Sequence, residues 1–200
     1  VSGTGYSPEG DVTKKDEIVT IDEDENLKIL SSIAALTNDA KLKVKGGEAS
    51  ITGDPTEGAL LTFAEKAGNG LDNLYKNFDR LEEIPFDSDR KMMTTFHDKI
   101  FEGIVSFTKG APDVVLDRCK KILIDGKEVD LDEKLRKEIL EKNSEFARSA
   151  LRCLGYAYRK HSDMPSEITS DAIEKDMVFV GLTGMIDPSR PEAKAAIKEC

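Results

Sequence analysis

Five consecutive residues, KGAPD at 109–113, combine residue types that suit an anionic ligand. They follow the apolar run 100–108, which is typical of a strand, so Lys109 would stand at a strand end. Gly110 lets the backbone come close to a ligand, and Pro112 pre-sets the first turn of a helix, where its missing N–H costs nothing. The segment predicts one fixed cation beside a phosphate, and the alternative is an ordinary exposed lysine.

A second segment, FDSDRK at 86–91, offers an aromatic ring and a cation on a charged turn. Phe86 would end a strand and stack on an adenine base, an interaction worth roughly 1–3 kcal/mol. Lys91 would then face the base or the phosphates. A core phenylalanine followed by an exposed hairpin turn fits the same letters, and for this segment taken alone we favour that alternative.

Two further charged residues, Arg152 and Glu57, are candidate ligand contacts. Arg152 follows a long predicted helix and opens a strand, where its guanidinium would fork onto phosphate oxygens or pair with a surface carboxylate. Cys153 beside it fits a small buried hydrophobe better than a nucleophile. Glu57 lies in the first turn of a predicted helix, where acidic residues are common, and its functional alternative is a hydrogen bond from an adenine amino group.

The periodicity of apolar residues predicts the elements that must position these side chains. Helices are expected at 26–40, 56–67, 112–119 and 132–151, and strands at 42–44, 49–52, 81–86, 92–96, 100–108, 122–124, 153–158 and 177–185. A short turn at 97–99 would join two of the strands into an antiparallel pair. Strands in hairpin order dominate the middle of the chain. We therefore predict an α/β fold of the α+β style, with a central, mostly antiparallel sheet of about six to seven strands flanked by helices.

Composition and charge limit the classes of function. The 200 residues are 38% hydrophobic and 34% charged, as in a soluble globular protein, and the net charge of −10 argues against a nucleic-acid or anionic-membrane surface. Three widely spaced cysteines and two histidines predict free thiols in a reducing cytosol and no zinc site. The sequence starts at Val1 and not at Met, and we expect a fragment of a longer polypeptide.

Two acidic patterns near the N-terminus imitate catalytic or metal-binding sequences. Asp22 and Asp24 follow an apolar run, as in aspartyl-phosphate phosphatases, but the partner motifs of that class do not occur. With Asn26 they also resemble the start of a calcium loop, yet Leu27 stands where that loop needs glycine. A run of solvated carboxylates accounts for both patterns. A free-standing HAD-like phosphatase and an acidic regulatory module that docks a basic partner are the alternative functions.

Five segments in order resemble the nucleotide-binding domain of type II P-type ATPases, the calcium-pump and sodium-pump branch. They are GDPTEGAL at 53–60, FDSDRKMM at 86–93, TKGAPD at 108–113, LRCLG at 151–155 and GMIDPSR at 184–190. The likeness extends over essentially the whole chain, and five ordered motifs are far more specific than any one of them. The residues of the first two segments are most similar to those of bacterial calcium-transporting pumps.

The resemblance implies a role for each candidate position. Adenine would stack on Phe86 and donate its amino group to Glu57, and the rest of the pocket would be lined by Lys91, Met93, Lys109, Gly110 and Leu154. Arg152 would contact the phosphates, and Asp187 and Arg190 would belong to a hinge and meet the terminal phosphates when domains close. Lys109 would thus form a wall of the adenine pocket and would not be a phosphate clamp.

The resemblance also implies the organisation of the chain and its partners. Residues 1–186 would be the nucleotide-binding domain, and residues 187–200 the hinge and the truncated start of a phosphorylation domain. The family's phosphorylated aspartate lies in a DKTGT motif, which does not occur here, so the chain alone would be inactive and would hold no catalytic or metal-binding residue.

The implied ligand is ATP, with Mg²⁺ bound mainly by the phosphorylation domain. The implied protein partners are the phosphorylation and actuator domains of the parent pump, and no nucleic acid. We expect a soluble, monomeric, cytoplasmic domain of an integral plasma-membrane protein.

Overall fold

Strands and helices are interspersed along the chain in a computed structural model that describes residues 1–46 and 48–186. The strands are β1 (Thr13–Lys14), β2 (Glu17–Ile18), β3 (Lys41–Lys45), β4 (Glu48–Thr52), β5 (Arg80–Asp87), β6 (Met92–Asp98), β7 (Ile104–Gly110), β8 (Cys119–Ile124), β9 (Lys127–Asp130), β10 (Arg152–His161) and β11 (Met177–Met185). The helices are α1 (Glu25–Leu36), α2 (Pro55–Lys66), α3 (Leu71–Asn77), α4 (Pro112–Asp117), α5 (Glu133–Arg148) and α6 (Ser170–Ile173).

One seven-stranded sheet organises the fold, in the order β5-β6-β7-β10-β11-β8-β9. Every neighbouring pair in it is antiparallel except β8 and β11, which run parallel. Two small hairpins, β1–β2 and β3–β4, form separate two-stranded sheets. The predicted class of fold, a mostly antiparallel sheet of six to seven strands flanked by helices, is confirmed.

Helices cover both faces of this sheet, and each face has its own apolar core. Side chains from α1, α2 and α3 pack against Val105, Phe107, Tyr156 and Tyr158 on one face. The second core contains residues of α4 and of β6, β8, β10 and β11, with partly buried side chains of α5 packed against it. Because both faces are covered, β6 and β7 are buried over nearly their whole length, and even the polar positions of β6 from Met92 to His97 lie inside.

Threonine hydroxyl groups within this buried sheet have hydrogen-bond partners. Thr94 of β6 lies 2.8 Å from Thr108 of β7, oxygen to oxygen, and Thr95 lies 3.0 Å from Thr37 at the end of α1. A buried polar group without a partner would cost free energy, so these pairs make threonine tolerable in the core. They also fix β6 against β7 and α1.

Several predicted boundaries were wrong. Helix α1 ends at Leu36 and not at residue 40, because the side chain of Asn38 bonds the Ala34 carbonyl at 3.1 Å and the Ala40 amide at 2.9 Å. The expected turn at 97–99 belongs partly to β6, and the connection to β7 runs through residues 99–103, where Lys99 has a positive φ. Helices α3 and α6 and the β1–β2 hairpin were not predicted.

The acidic run before α1 has a structural role. Oδ1 of Asp24 accepts the Leu27 amide at 3.0 Å and so caps the helix, while Oδ2 receives the Lys14 ammonium at 2.6 Å. Strand β2 is only two exposed residues long and does not lead into a DxD loop of a phosphatase core. Within residues 1–46 and 48–186, no helix combines the length and the apolar character that crossing a bilayer requires.

Candidate functional site

Three buried side chains stand opposite one another where β6, β7 and β10 lie side by side. Met93 pairs with Lys109, and Lys109 pairs with Tyr156 on its other side. Direct cross-strand neighbours share a face of the sheet, so these side chains form one row. The row lies near the end of β7, where β7 meets the turn that leads into α4, and near the start of β6.

The start of α2 brings a carboxylate to this row. Oδ1 of Asp54 accepts the amides of Thr56 and Glu57 at 2.8 and 3.2 Å, and Pro55 occupies the first helical position, so the local sequence sets where the helix begins. Asn38 holds the same turn from outside, because its Nδ2 donates to the Glu57 carbonyl at 3.0 Å. The backbone of Glu57 is thus fixed on two sides.

Glu57 and Lys109 form an ion pair at the centre of the candidate site. Nζ of Lys109 lies 2.6 Å from Oε1 of Glu57, and the side chains are 9% and 18% exposed, respectively. Oε2 of Glu57 accepts the Asp39 amide at 3.2 Å. A carboxylate offers about four lone-pair positions, so both oxygens keep capacity for a further donor.

Burial dominates the electrostatics of Lys109. It lowers the pKa of the ammonium from its ordinary value, and the hydrogen bond and charge of Glu57 act in the opposite direction. The lysine is therefore neither the exposed strand-end residue of the simplest prediction nor a mobile surface cation. It is a paired cation with almost no access to solvent.

Phe86 lies on the edge strand β5, which β6 separates from the strand of Lys109, and is itself 63% exposed. The next residue, Asp87, pairs with Met92, so the ring stands at the Met92–Met93 end of β6. An aromatic ring left largely in water is unusual for a core position, and the alternative of a core phenylalanine is not supported. The turn from β5 to β6 ends at Lys91, whose side chain is exposed and whose φ is +56°.

Gly110 allows this turn to lie directly against β7. The Ala111 amide donates to the Lys91 carbonyl at 3.0 Å, and a Cβ on Gly110 would stand 2.4 Å from that same oxygen. No side chain fits in that space. The sequence predicted a close approach at Gly110, and the partner in this structure is the backbone of Lys91.

Arg152 and Leu154 enter from the start of β10. Arg152 is exposed, and its Nη1 donates to the hydroxyl of Thr56, beside Glu57. Leu154 is partly buried and packs against the core beneath α1 and α2. Arg152 therefore borders the Glu57–Lys109 pair and retains solvent access for a ligand.

The structure brings together most of the predicted site residues. Glu57, Met93 and Lys109 are in one contact network, and Arg152 joins it through Thr56. The others lie on β5, in the β5–β6 turn, on β7 and on β10: Phe86, Lys91, Gly110 and Leu154. Asp187 and Arg190 lie outside the described residues. The roles in ligand binding remain predictions.

The sequence did not predict the residues that hold this site in place. Tyr156 completes the buried row, Asn38 and Asp39 hold Glu57, and Thr56 receives Arg152. Asn38-Asp39 after a helix is a recognisable turn signal, but nothing local shows that it faces a residue 18 positions later. Only the folded arrangement reveals these contacts.

The site is an open surface. A groove of about 530 Å³ runs along an exposed face of α5, lined by Arg136, Leu140, Arg148 and neighbours, and it includes none of the predicted site residues. Phe86 lies on the edge strand β5 and Lys91 in the turn that follows it, and both residues are exposed. We therefore assign the candidate site to the surface around Phe86.

The fold, a mostly antiparallel sheet with helices on both faces, can be compared with that of known protein families. The family model described as "P-type ATPase, cytoplasmic domain N" matches residues 26–192, well over half of the chain. The chain belongs to this family. The assignment identifies it as a cytoplasmic domain of P-type ATPases.

Individual relatives are cation pumps. A calcium-transporting ATPase of Bacillus subtilis is 39% identical over 100% of this chain and 22% of its own length. A calcium-transporting ATPase of Listeria monocytogenes is 42% identical over 85% of the chain and 19% of its own length. A cation-transporting ATPase of Synechocystis is 38% identical over 100% of the chain and 22% of its own length. The chain thus spans about a fifth of these relatives.

Proposed function

We propose that this chain binds the adenine of ATP at the surface around Phe86 and presents the γ-phosphate to an aspartate in a separate domain of a cation pump. One observation carries the proposal. An aromatic ring that is 63% exposed stands on the edge strand β5, and one strand, β6, separates it from β7, which carries Lys109 of the buried Glu57–Lys109 ion pair. A planar base stacked on the ring would have hydrogen-bonding groups within reach of a fixed carboxylate.

Each part of the site suits a part of the nucleotide. Adenine would stack on Phe86, and its amino group would donate to Glu57, whose oxygens each have one protein donor and room for another. Lys109 would hold that carboxylate in place through the 2.6 Å ion pair. The remaining walls would be Lys91, Met93, Gly110 and Leu154.

The phosphates would extend toward the exposed cation at the start of β10. Arg152 has a planar, forked guanidinium suited to phosphate oxygens, and its bond to Thr56 is one that a phosphate can replace. Asp187 and Arg190 would meet the terminal phosphates after domain closure. Mg²⁺ would be held mainly by the phosphorylation domain.

In the parent pump this domain would contribute positioning. It would carry ATP to the phosphorylation domain, where the aspartate resides, and would work with the actuator domain during the cycle. Holding two reactants in the correct geometry lowers the entropic part of the barrier, so a binding domain without a nucleophile still accelerates the reaction. The isolated chain would bind ATP without forming an aspartyl-phosphate. The names of the relatives favour calcium as the transported ion.

A nucleotide titration tests this proposal. One stacked base and a few solvent-exposed polar contacts suggest on the order of 4–5 kcal/mol, hence a Kd of roughly 0.1–1 mM. We expect AMP to bind nearly as well as ATP, GTP to bind more weakly, and Phe86→Ala to lose most of the affinity. Leu81→Ala, at the other end of the same edge strand, is the matched control and should bind normally.

Two outcomes would contradict the proposal. Equal binding by the wild type and Phe86→Ala would remove the stacking role, and equal affinity for GTP and ATP would remove the adenine role of Glu57. Absence of nucleotide binding together with salt-sensitive binding of a basic protein would favour the acidic interaction module instead.

A further inference from the structure

A carboxylate with no solvent exposure lies on the opposite side of the sheet from α2. Glu174 follows α6 and has a side chain that is 0% exposed. Its Oε1 accepts Nη1 of Arg90 and the hydroxyl of Thr94, the latter at 2.7 Å. Its Oε2 is buried and has no hydrogen-bond partner within the described residues. Burying a carboxylate in this way is expensive, so the groups that hold it there are informative.

Arg90 connects this carboxylate to the turn that carries the proposed adenine contacts. Nη1 of Arg90 binds Glu174, and Nη2 donates to the carbonyl of Pro85. Pro85 immediately precedes Phe86, and Arg90 immediately precedes Lys91. The guanidinium therefore closes the segment 85–91 on itself and fixes both of its ends to one buried anchor.

The same network reaches the strand of Lys109. Thr94, bonded to Glu174, lies 2.8 Å from Thr108, oxygen to oxygen, and Thr108 is the residue before Lys109. One carboxylate thus organises the edge-strand turn, β6 and β7 from behind the candidate site.

The anchor itself is held in place by two arginines. Nη1 of Arg118 donates to the Glu174 carbonyl at 3.2 Å, and Nη1 of Arg159 donates to the Ala172 carbonyl at 3.0 Å. A four-residue helix such as α6 has little stability of its own, so these contacts fix the position of Glu174. The Glu174 carboxylate therefore has a fixed position relative to Arg90.

Stability alone does not account for this arrangement. A buried ion pair contributes little net stability compared with a well-packed apolar pair, and one of its oxygens here has no donor among the described residues. What the pair does provide is a defined position for a polar, exposed turn that would otherwise sample many conformations. Ordering that turn before the ligand arrives removes a cost from binding.

We propose that Glu174 and Arg90 are positioning residues that hold Phe86 and Lys91 in the arrangement that binds the nucleotide. The inference rests on the proposed function, since it concerns the same site. Neither residue touches the ligand. If the anchor is loosened so that roughly a fifth of the molecules have the competent turn, the apparent Kd rises about five-fold.

The first test needs no nucleotide. Arg90→Lys keeps the positive charge but removes the fork that spans Glu174 and Pro85. We expect faster hydrogen exchange at two amides that report on the turn, Lys91, bonded to the Asp87 carbonyl at 2.6 Å, and Ala111, bonded to the Lys91 carbonyl at 3.0 Å. Glu174→Gln, which keeps the shape and removes the charge, should give the same change to a smaller degree and serves if the first variant folds poorly.

The matched control is Arg136→Ala. Arg136 also donates from its guanidinium to backbone carbonyls, those of Leu116 at 2.8 Å and Cys119 at 3.2 Å, but it lies on α5 away from the turn. It should lower the melting temperature without accelerating exchange at Lys91 or Ala111. Unchanged exchange in both Arg90→Lys and Glu174→Gln would overturn the proposal, whatever the nucleotide titrations show.

The second test is a double-mutant cycle on binding. Arg90→Lys should raise the Kd for ATP and for AMP by the same factor, about five-fold, because the effect lies on the adenine side. In the Phe86→Ala background most of that factor should vanish, since there is no ring left to position. A purely structural loss would weaken both backgrounds equally and would overturn the inference.

The two proposals fail in different ways. If the wild type binds no nucleotide while exchange at Lys91 and Ala111 still responds to Arg90→Lys, the proposed function fails and the anchor of the turn is real but serves another ligand. If the wild type binds ATP and Arg90→Lys leaves both exchange and affinity unchanged, only the positioning role fails.

Discussion

The carboxylate of Glu57 and the ammonium of Lys109 meet at 2.6 Å although they are 52 residues apart in the sequence. The helix start that carries Glu57 is fixed by Asp54 and Asn38, and Lys109 is fixed by its place in β7, which is buried from Val105 to Gly110. The pair therefore exists before any ligand arrives. A base that enters next to Phe86 would find an acceptor already oriented.

Loss of the Glu57 charge should destabilise the fold more than loss of the whole pair. Glu57→Gln leaves the Lys109 ammonium buried without a counter-charge, which we expect to cost about 2–4 kcal/mol of unfolding free energy. The double variant Glu57→Gln/Lys109→Met removes both charges and should cost less than Glu57→Gln alone. Urea unfolding of the four proteins of the cycle measures the coupling.

The exposed pair Lys142–Glu145 is a control with similar geometry. Its Nζ and Oε2 atoms are 2.7 Å apart, but both side chains are more than half exposed. Lys142→Met should leave stability unchanged within error, because water screens such pairs. If the losses of Glu57→Gln and Lys109→Met simply add in the double variant, the two residues are not coupled and the site is less ordered than described.

A methyl group at position 110 should damage the turn. Gly110→Ala places a Cβ 2.4 Å from the Lys91 carbonyl oxygen, so the β5–β6 turn must move away from β7. We expect a loss of about 1–3 kcal/mol in unfolding free energy and a weaker affinity for AMP. Gly70→Ala is the control, since nothing lies within 4 Å of its Cβ position and its φ of −52° suits alanine. A fully stable Gly110→Ala would show that the turn is not held as tightly as the contact indicates.

Arg152 should favour a nucleotide that carries phosphate over the free nucleoside. Arg152→Ala removes an exposed cation on the phosphate side, so ATP affinity should fall about three- to ten-fold while adenosine affinity changes little. Arg148→Ala, an exposed arginine at the end of α5, controls for net charge. Equal losses for adenosine and ATP would place Arg152 on the base side of the site.

Local sequence patterns predicted most elements of this fold because they reflect forces within each element. Strand β11 was predicted with its observed ends, Met177 and Met185, since a continuous apolar run between polar ends indicates a buried strand. Asp125-Gly126, a residue pair typical of tight hairpin turns, joins β8 to β9, and both residues have the positive φ that such a turn requires. The order of strands in the sheet was not predicted, because register between distant strands depends on contacts that no local window contains.

Helix α5 shows how a correct local pattern can misstate burial. Its apolar spacing correctly predicted a helix, yet none of its residues is fully buried, and Leu135 and Ile139 only cover the edge of the second core. Periodicity indicates which face is apolar but not how deeply that face is buried.

Prediction of the candidate site from local sequence is limited in the same way. The letters KGAPD indicated a placed lysine, and only the fold shows that Glu57 is its partner.

Acid should destabilise this protein through His97, which is 1% exposed in the core beside α1. Its Nδ1 lies 3.0 Å from the Asp79 carbonyl oxygen and its Nε2 lies 2.9 Å from the Thr95 hydroxyl, so the neutral ring has partners on both nitrogens. Burial is the main cause that lowers the pKa of His97 from 6.5 to about 4, and the positive charge of Arg80 acts in the same direction while Asp98 opposes it.

The sign of the effect follows from the two pKa values. Below pH 6.5 the unfolded chain takes up a proton that the folded chain refuses until about pH 4, so stability falls as the pH falls through this window. The loss approaches about 3 kcal/mol by pH 4. Carboxylates with lowered pKa values, such as Asp54 and Glu128, add a further loss of stability at lower pH.

Urea unfolding of the wild type and of His97→Asn at several pH values from 7 to 4 measures the contribution of this histidine to the pH dependence. The variant should be less stable at pH 7 and should lose less stability on acidification, and parallel curves for the two proteins would show that His97 is not the titrating group.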